Sequence, residues 1–152
     1  MWRKGSSALF LVLMAAAVLL LAQEAPPPAE PQPTAEDLAR KNPVKSGKES
    51  IDTGKRLFDS QCTMCHGEKG DGKGDLAVDR GWKVTDFTDA KVMKGRTDGE
   101  LFFSMTKGKG HMPGQEGRLK GEQKWHIVNF IRSLAAPTNE KPGEKHPAQS
   151  RE

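Results

Sequence analysis

Apolar residues recur at helical spacing in three segments in the middle of the chain, which predicts three helices. The first is expected near Ile51 to Ser60, with Asp52 or Ser50 as its N-cap. Its apolar face consists of Ile51, Gly54, Leu57 and Phe58.

The second and third predicted helices have boundary signals. The second begins at the stretch TDGELFFSM, where Thr97 and Glu100 fit a capping box, and it is expected to end at Gly108 or Gly110. The third covers EQKWHIVNFIRSL and stops at Pro137, because proline cannot continue a helix. Its expected buried residues are Trp125, Val128, Ile131 or Phe130, and Leu134.

The segment between the first two helices lacks a clear periodic pattern. No stretch alternates with period two for long enough to predict a strand, so the expected fold class is all-α. The segment from Gly67 to Thr97 is predicted to be a long, glycine-rich loop. Such loops are uncommon in small domains, and this one is expected to wrap a large group.

The first 22 residues have the features of an export signal. Arg3 and Lys4 precede an apolar run from Ala8 to Ala22. The run is shorter than the roughly 20 residues of a membrane span, but its end fits the small-x-small cleavage rule poorly. Removal of residues 1–22 and their retention as a membrane anchor both stay open, and both predict an exported, periplasmic protein.

The composition divides the rest of the chain into three parts. Residues 23–48 are rich in proline, alanine and charge and are predicted to be an extended linker, while residues 136–152 are predicted to be a disordered polar tail. A folded domain over 49–135 remains. Because only 35% of the residues are hydrophobic, this small domain is expected to need a disulfide, a metal or a large buried group for stability.

The formal net charge of +4 does not indicate a nucleic-acid partner. Two of the positive charges belong to Arg3 and Lys4, and the remaining basic and acidic residues are interspersed. No run of like charge is present that could follow a phosphate backbone.

The only two cysteines, Cys62 and Cys65, are followed directly by His66. A pair with this spacing can be a redox disulfide, half of a zinc site or a haem attachment site. The other histidines lack zinc-finger spacing, and a thioredoxin-like βαβ context is missing. Two such thiols can add to the two vinyl groups of haem, and the adjacent imidazole can bind the iron. The motif therefore predicts one covalently attached haem c.

Met112 is the best candidate for the second axial ligand. It lies in KGKGHMPGQ, where the glycines allow the backbone to approach a porphyrin and Pro113 stiffens the chain. A thioether favours Fe(II) and raises the reduction potential. His111, the adjacent residue, is an alternative ligand, and a packing role for Met112 is the other alternative.

Four stretches occur in the order found in the class I cytochrome c family: CTMCH, GDGKG, HMPG and WHIVNFIRSL. Over about Ile51 to Leu134 the chain resembles the small bacterial monohaem members of this family. The resemblance implies a cytochrome c fold of three to five helices with long loops around one haem c. It also implies that Gly54 and Phe58 cross the last helix near Phe130.

The same resemblance implies the roles of the site residues. Cys62 and Cys65 would carry the haem, with His66 and Met112 as axial ligands to the iron. In two places the chain departs from the family: Asp75 replaces a proline whose carbonyl accepts from the ligand histidine, and His111 replaces a glycine. Trp82 and Arg80 are candidates for contacts with the haem propionates, although Trp82 can equally be a core residue.

These features predict a one-electron carrier and not an enzyme, because two protein ligands would leave no iron position for a substrate. The expected partners are redox donor and acceptor proteins of a respiratory chain. Two alternatives stay open: a membrane-anchored subunit of a respiratory oxidoreductase complex, and a ligand-binding haem sensor or enzyme in which Met112 is not bound. The lysines that could steer an acidic partner are Lys69, Lys73, Lys107, Lys109, Lys120 and Lys124.

Overall fold

The computed structural model describes residues 29–135, which form seven helical segments and one short hairpin. The helices are α1 (Ala35–Ala39), α2 (Lys48–Gln61), α3 (Thr63–His66), α4 (Asp75–Arg80), α5 (Ala90–Lys94), α6 (Asp98–Lys107) and α7 (Gly121–Leu134). The hairpin pairs β1 (Gly108–Lys109) with β2 (Met112–Pro113) in antiparallel register. This mostly helical structure confirms the predicted fold class.

The start of α2 differs from the prediction. The helix begins after Gly47, which provides no side-chain cap, so the prediction of Ser50 or Asp52 as N-cap is wrong. Both residues lie inside the helix and have other partners. The Asp52 carboxylate pairs with Lys48 Nζ at 2.6 Å, and Ser50 Oγ lies 2.8 Å from His126 Nδ1.

The helix α6 begins and ends as predicted, although its cap is only half of a capping box. Thr97 Oγ1 accepts a hydrogen bond from Glu100 N at 3.0 Å. The Glu100 carboxylate instead pairs with Arg96 Nη1 at 2.7 Å. At the other end, Gly108 adopts a positive φ of 83°, which ends the helix and starts the hairpin.

The helices α2 and α7 cross at Gly54. A Cβ atom there would overlap the His126 carbonyl and lie 2.9 Å from Phe130 Cβ, so the crossing requires glycine. One turn later the rings of Phe58 and Phe130 pack edge to face, with centroids 5.2 Å apart. This crossing is the one implied by the family resemblance. The buried core around it also includes Phe87, Met93, Leu101, Met105, Trp125, Ile127, Val128 and Ile131.

The segment from Gly67 to Thr97 contains α4 and α5, and is therefore not the unbroken loop that was predicted. Asp89 caps α5 by accepting from Lys91 N at 2.8 Å. From the distant α7, the Arg132 guanidinium donates to the carbonyl oxygens of Met93 and Arg96 at 3.0 and 2.6 Å. These bonds hold the end of α5 in place.

Residues 34–44 form an N-terminal arm that packs on α6 and α7. Thr34 and Asp37 form a capping box for α1, and Gly99 leaves room for the backbone of α1 against α6. Asn42 Nδ2 donates to Trp125 O at 3.1 Å and to Asn129 Oδ1 at 2.9 Å. The arm thus differs from the extended tether expected for this part of residues 23–48.

The proposed signal or anchor (1–22), the first part of the linker (23–28) and the polar tail (136–152) lie outside the described residues. Between residues 29 and 135, no helix has the length and hydropathy needed to cross a membrane.

Candidate haem site

The cysteines and His66 lie on one helical turn that continues α2. Cys62 is the residue between α2 and α3, and its N–H donates to Phe58 O at 2.8 Å. His66 N donates to Cys62 O at 2.9 Å, so the structure brings the first cysteine and the histidine together as i and i+4. Both thiols are free and half-buried.

The Cys62 thiol is held in its neutral form. Burial raises its pKa to about 12, and the neighbouring Cys65 and Asp59 add to the increase. Redox-active thiols in Cys-x-x-Cys motifs have lowered pKa values instead, so this environment disfavours the redox-disulfide alternative. Within residues 29–135, no three or more His, Cys, Asp or Glu side chains are grouped to hold a metal ion directly.

The His66 side chain is half-buried and lies among aromatic rings. It stacks on Phe87 with centroids 4.7 Å apart and lies 6.1 Å from the Phe58 ring. Burial lowers the pKa of His66 to about 4, and the nearby Thr85 backbone opposes this only in part. The imidazole is therefore neutral at neutral pH, which is the form that binds a metal. Its Nδ1 atom is buried and has no hydrogen-bond partner among the described residues.

The Thr85 backbone is a candidate for the hydrogen-bond acceptor of His66 that the proline-to-Asp75 replacement left open, because it raises the pKa of His66. Asp75 is exposed at the start of α4. Gly72, with a φ of 75°, brings the backbone around Thr85 close to the loop after His66: a Cβ on Gly72 would lie 3.3 Å from Thr85 O. In the sequence, only Gly72 of GDGKG points to this contact. The acceptor itself leaves no signal, because a backbone carbonyl can accept a hydrogen bond whatever side chain its residue has.

Met112 lies in β2, opposite Lys109. Its side chain is half-buried and packs against the hydrophobic core, as does Cys62. The two rings beside His66 are those of Phe58 and Phe87, and both belong to the same core cluster. The structure therefore places the attachment motif and Met112 around one cluster, although they are far apart in the sequence.

His111 and Trp82 contact each other. Their rings are stacked with centroids 4.3 Å apart and planes 7° from parallel. His111 is exposed in the turn of the hairpin, and Trp82 is half-buried. Arg80 is exposed at the end of α4.

Comparison with known proteins identifies the family. A model of the family described as "Cytochrome C oxidase, cbb3-type, subunit III" matches residues 49–131, which is more than half of the 152 residues. The chain belongs to this family. It is a class I c-type cytochrome, as its motifs suggested. No curated protein matches the chain.

A solved structure resembles this cytochrome in sequence and fold. It is described as the "Kuenenia stuttgartiensis reducing HAO-like protein complex Kustc0457/Kustc0458". The two chains are 27% identical with a TM-score of 0.54, and the match covers 70% of this chain and 52% of the other. The cytochrome thus spans about half the length of that relative. The family and this relative support haem-based electron transfer.

The cytochrome c domain implies haem c, and the described residues fit this cofactor. Addition to the two vinyl groups requires two reduced thiols, and Cys62 and Cys65 are both free. The imidazole of His66 is neutral, and its buried Nδ1 has no hydrogen-bond partner within residues 29–135. An unpaired buried polar atom is costly, so this histidine is suited to a site that another group completes.

Fewer of the predicted lysines are available to attract a partner than the sequence suggested. Lys124 is only 5% exposed, so the prediction that it contributes to a surface lysine cluster is wrong. Lys107 is exposed but pairs with Glu116 at 2.9 Å. Four of the predicted lysines remain as exposed side chains that could attract an acidic partner: Lys69, Lys73, Lys109 and Lys120.

Proposed function

We propose that this cytochrome is an exported monohaem protein that carries single electrons between redox proteins. Cys62 and Cys65 would hold haem c through thioether bonds, and His66 and Met112 would bind its iron. When bound, haem c supplies a one-electron change between Fe(II) and Fe(III). The protein acts in the periplasm, in a respiratory or other electron-transfer chain, and has no catalytic residues of its own.

One observation carries this proposal: the turn from Cys62 to His66 and the hairpin with Met112 border the same hydrophobic cluster. Two thiols, a neutral imidazole and a thioether are the groups that a class I site requires. Because these groups lie around one apolar cluster, water would have limited access to the iron. A site with little water favours Fe(II), which carries less charge than Fe(III).

Each residue has a distinct part in the proposed mechanism. Cys62 and Cys65, on the helical turn that continues α2, would hold the cofactor in a fixed position through thioether bonds. The Phe87 ring, stacked on His66, fixes the orientation of the imidazole. The nearby Thr85 carbonyl is suited to accept a hydrogen bond from the imidazole nitrogen that does not bind the iron. The soft Met112 sulfur would favour Fe(II) and so raise the reduction potential.

Optical spectroscopy combined with a redox titration of the purified holoprotein tests the assignment. We expect a one-electron transition, haem that resists extraction with acidic acetone, and the long-wavelength band of methionine-ligated ferric haem. Met112→Ala should abolish this band, and Met112→His should lower the midpoint potential. The matched control is Met105→Leu, a buried core methionine that should leave both unchanged.

The opposite results identify the alternatives. A methionine band that persists in Met112→Ala would contradict the ligand assignment. A wild-type protein without this band, whose iron readily binds carbon monoxide, would instead be a ligand-binding sensor or enzyme.

A second candidate function is a subunit of a larger redox complex. It is favoured by the family description, which names a subunit of an oxidase, and by the solved relative, which is described as part of a complex. In this case residues 8–22 would be retained as a membrane anchor. N-terminal sequencing of the exported protein distinguishes the two: a start at Gln23 supports a free carrier, and a start at Met1 supports an anchored subunit.

A further inference from the structure

The hairpin that contains Met112 is held firmly at its base. Gln115 N donates to Met105 O at 2.7 Å, which ties the outgoing chain to α6. Gly114 packs so closely on the end of α6 that a Cβ would lie 2.9 Å from the Lys107 carbonyl carbon. The base therefore has little freedom to move.

The tip of the hairpin needs a different support. Only two residue pairs, Gly108 with Pro113 and Lys109 with Met112, form the ladder. Hairpins this short are marginal without packing against another element. At the tip, the ring of His111 stacks on Trp82, which is 29 positions earlier in the chain, and the nearly parallel planes give a large contact.

Trp82 is itself fixed to the attachment motif. The backbone N–H of Trp82 donates to Ala77 O at 2.9 Å, which ties Trp82 to α4. The start of α4 rests on the attachment turn: Gly74 N donates to Cys65 O at 3.2 Å, and a Cβ on Gly74 would lie 2.6 Å from the Cys65 carbonyl carbon. The stack thus connects the segment that carries Cys65 to the residue next to Met112.

We propose that the stacked rings of Trp82 and His111 form a latch that holds the Met112 hairpin in place, so that Met112 stays in position to bind the haem iron. Both are positioning residues that act through Met112. The proposal rests on the proposed function, in which Met112 is an axial ligand. It also assigns this positioning role to Trp82 and to His111, and His111 then has a function other than replacing Met112 as a ligand.

Competition by imidazole for the iron of the ferric holoprotein tests the latch. Imidazole can bind only after Met112 has left, so its apparent affinity reports how easily the hairpin opens. His111→Ala should increase this affinity by about threefold to tenfold, the range expected for loss of one aromatic pair. His111→Phe should restore the wild-type affinity because it keeps a ring on Trp82. The control Lys109→Ala, at an exposed position of the same hairpin, should have no effect.

A double-mutant cycle assigns the effect to the pair. Trp82→Ala should have an effect similar to His111→Ala, and the double variant should exceed either single variant by less than twofold. An unchanged affinity in His111→Ala, or additive effects in the double variant, would overturn the latch while leaving Met112 ligation intact. Absence of the methionine band from the wild-type protein would overturn the ligand assignment and the latch together. The band and the imidazole affinity therefore separate the two failures.

Discussion

At the scale of single residues, Gly54 controls how closely α2 and α7 approach. We expect Gly54→Ala to destabilise the protein by about 1–3 kcal/mol, because the added methyl group would overlap the His126 carbonyl and crowd Phe130. Chemical denaturation of the holoprotein measures this loss. Gly121→Ala is the matched control: no atom lies within 4 Å of a Cβ at this position, and alanine favours the helix. Equal stabilities for the two variants would contradict the role of Gly54.

Lys124 is a buried cation without a carboxylate in hydrogen-bond contact among the described residues. Its ammonium donates to Thr106 Oγ1 at 3.0 Å and lies 5.1 Å from the centre of the Phe102 ring. Burial lowers the pKa of Lys124; Glu116 opposes this decrease, and the charge of Lys107 adds to it. The charged form therefore has a net cost in the folded protein.

This cost predicts a stabilising substitution. Lys124→Met should raise the free energy of unfolding at pH 7 by about 1 kcal/mol, because it removes a buried charge while keeping much of the side-chain volume. The gain should shrink as pH rises towards 10.5, the ordinary pKa of a lysine, because burial lowers the pKa of Lys124 and the folded wild-type protein then loses this proton before the unfolded chain does. Thermal melts across this pH range measure the difference. A gain that grows with pH would contradict the prediction, and Lys120→Met, at an exposed position, is the control.

The sequence predicts chemically distinctive residues better than backbone contacts. Cys62, Cys65 and His66 were proposed as haem-binding residues from their spacing alone, because that chemistry requires those side chains. Thr85 was not, since its carbonyl would serve equally well with another side chain. The burial of Lys124 was also missed, because its position on the inner side of α7 depends on Thr106 and Phe102 of another helix.

At the scale of elements, length decided what the sequence could predict. The helices α2, α6 and α7 are long enough to show a periodic apolar face, and all three were predicted. The helices α4 and α5 have only six and five residues, too few for a period to be evident. The end of α5 depends on Arg132 from the far end of the domain, which no local pattern reveals.

The N-terminal arm is held in place by a small polar network. Asn42 Nδ2 donates two hydrogen bonds into α7, and Asn129 Nδ2 donates to Val44 O at 3.1 Å and to Ser50 Oγ at 2.8 Å. Arg40 adds a cation–π contact, 5.5 Å from the centre of the Phe102 ring. The arm was predicted to be linker because the α7 residues that bind Asn42 are more than 80 positions further along the chain, where no local pattern reveals them.

We expect Asn42→Ala to release the arm. Loss of its bonds to Trp125 O and Asn129 should cost about 1–3 kcal/mol and increase the rate at which trypsin cleaves after Arg40 and Lys41. Mass spectrometry of a limited digest measures this rate. Glu36→Gln, on the exposed side of α1, serves as the control. Unchanged cleavage in Asn42→Ala would show that the network does not hold the arm.

At the scale of the whole molecule, the proposed cofactor completes a core that the chain alone provides only in part. We expect Cys62→Ser, Cys65→Ser to lose haem and to unfold without a cooperative transition. Circular dichroism during heating measures the transition. Met64→Ala, a substitution within the attachment motif at a side chain that is 67% exposed, should keep both the haem and cooperativity. A sharp transition in the double-serine variant would contradict a structural role for the cofactor.

Docking of the N-terminal arm also changes the reach of the domain if residues 8–22 are retained as an anchor. A free linker over residues 23–48 would extend at most about 90 Å, whereas residues 23–33, which precede the arm, extend at most about 40 Å. Because the effective concentration of a tethered domain falls roughly as the −3/2 power of linker length, the docked arm would raise it about threefold to fourfold. The arm would thus confine the cytochrome to a smaller volume above the membrane, so that it meets the same redox partner more often.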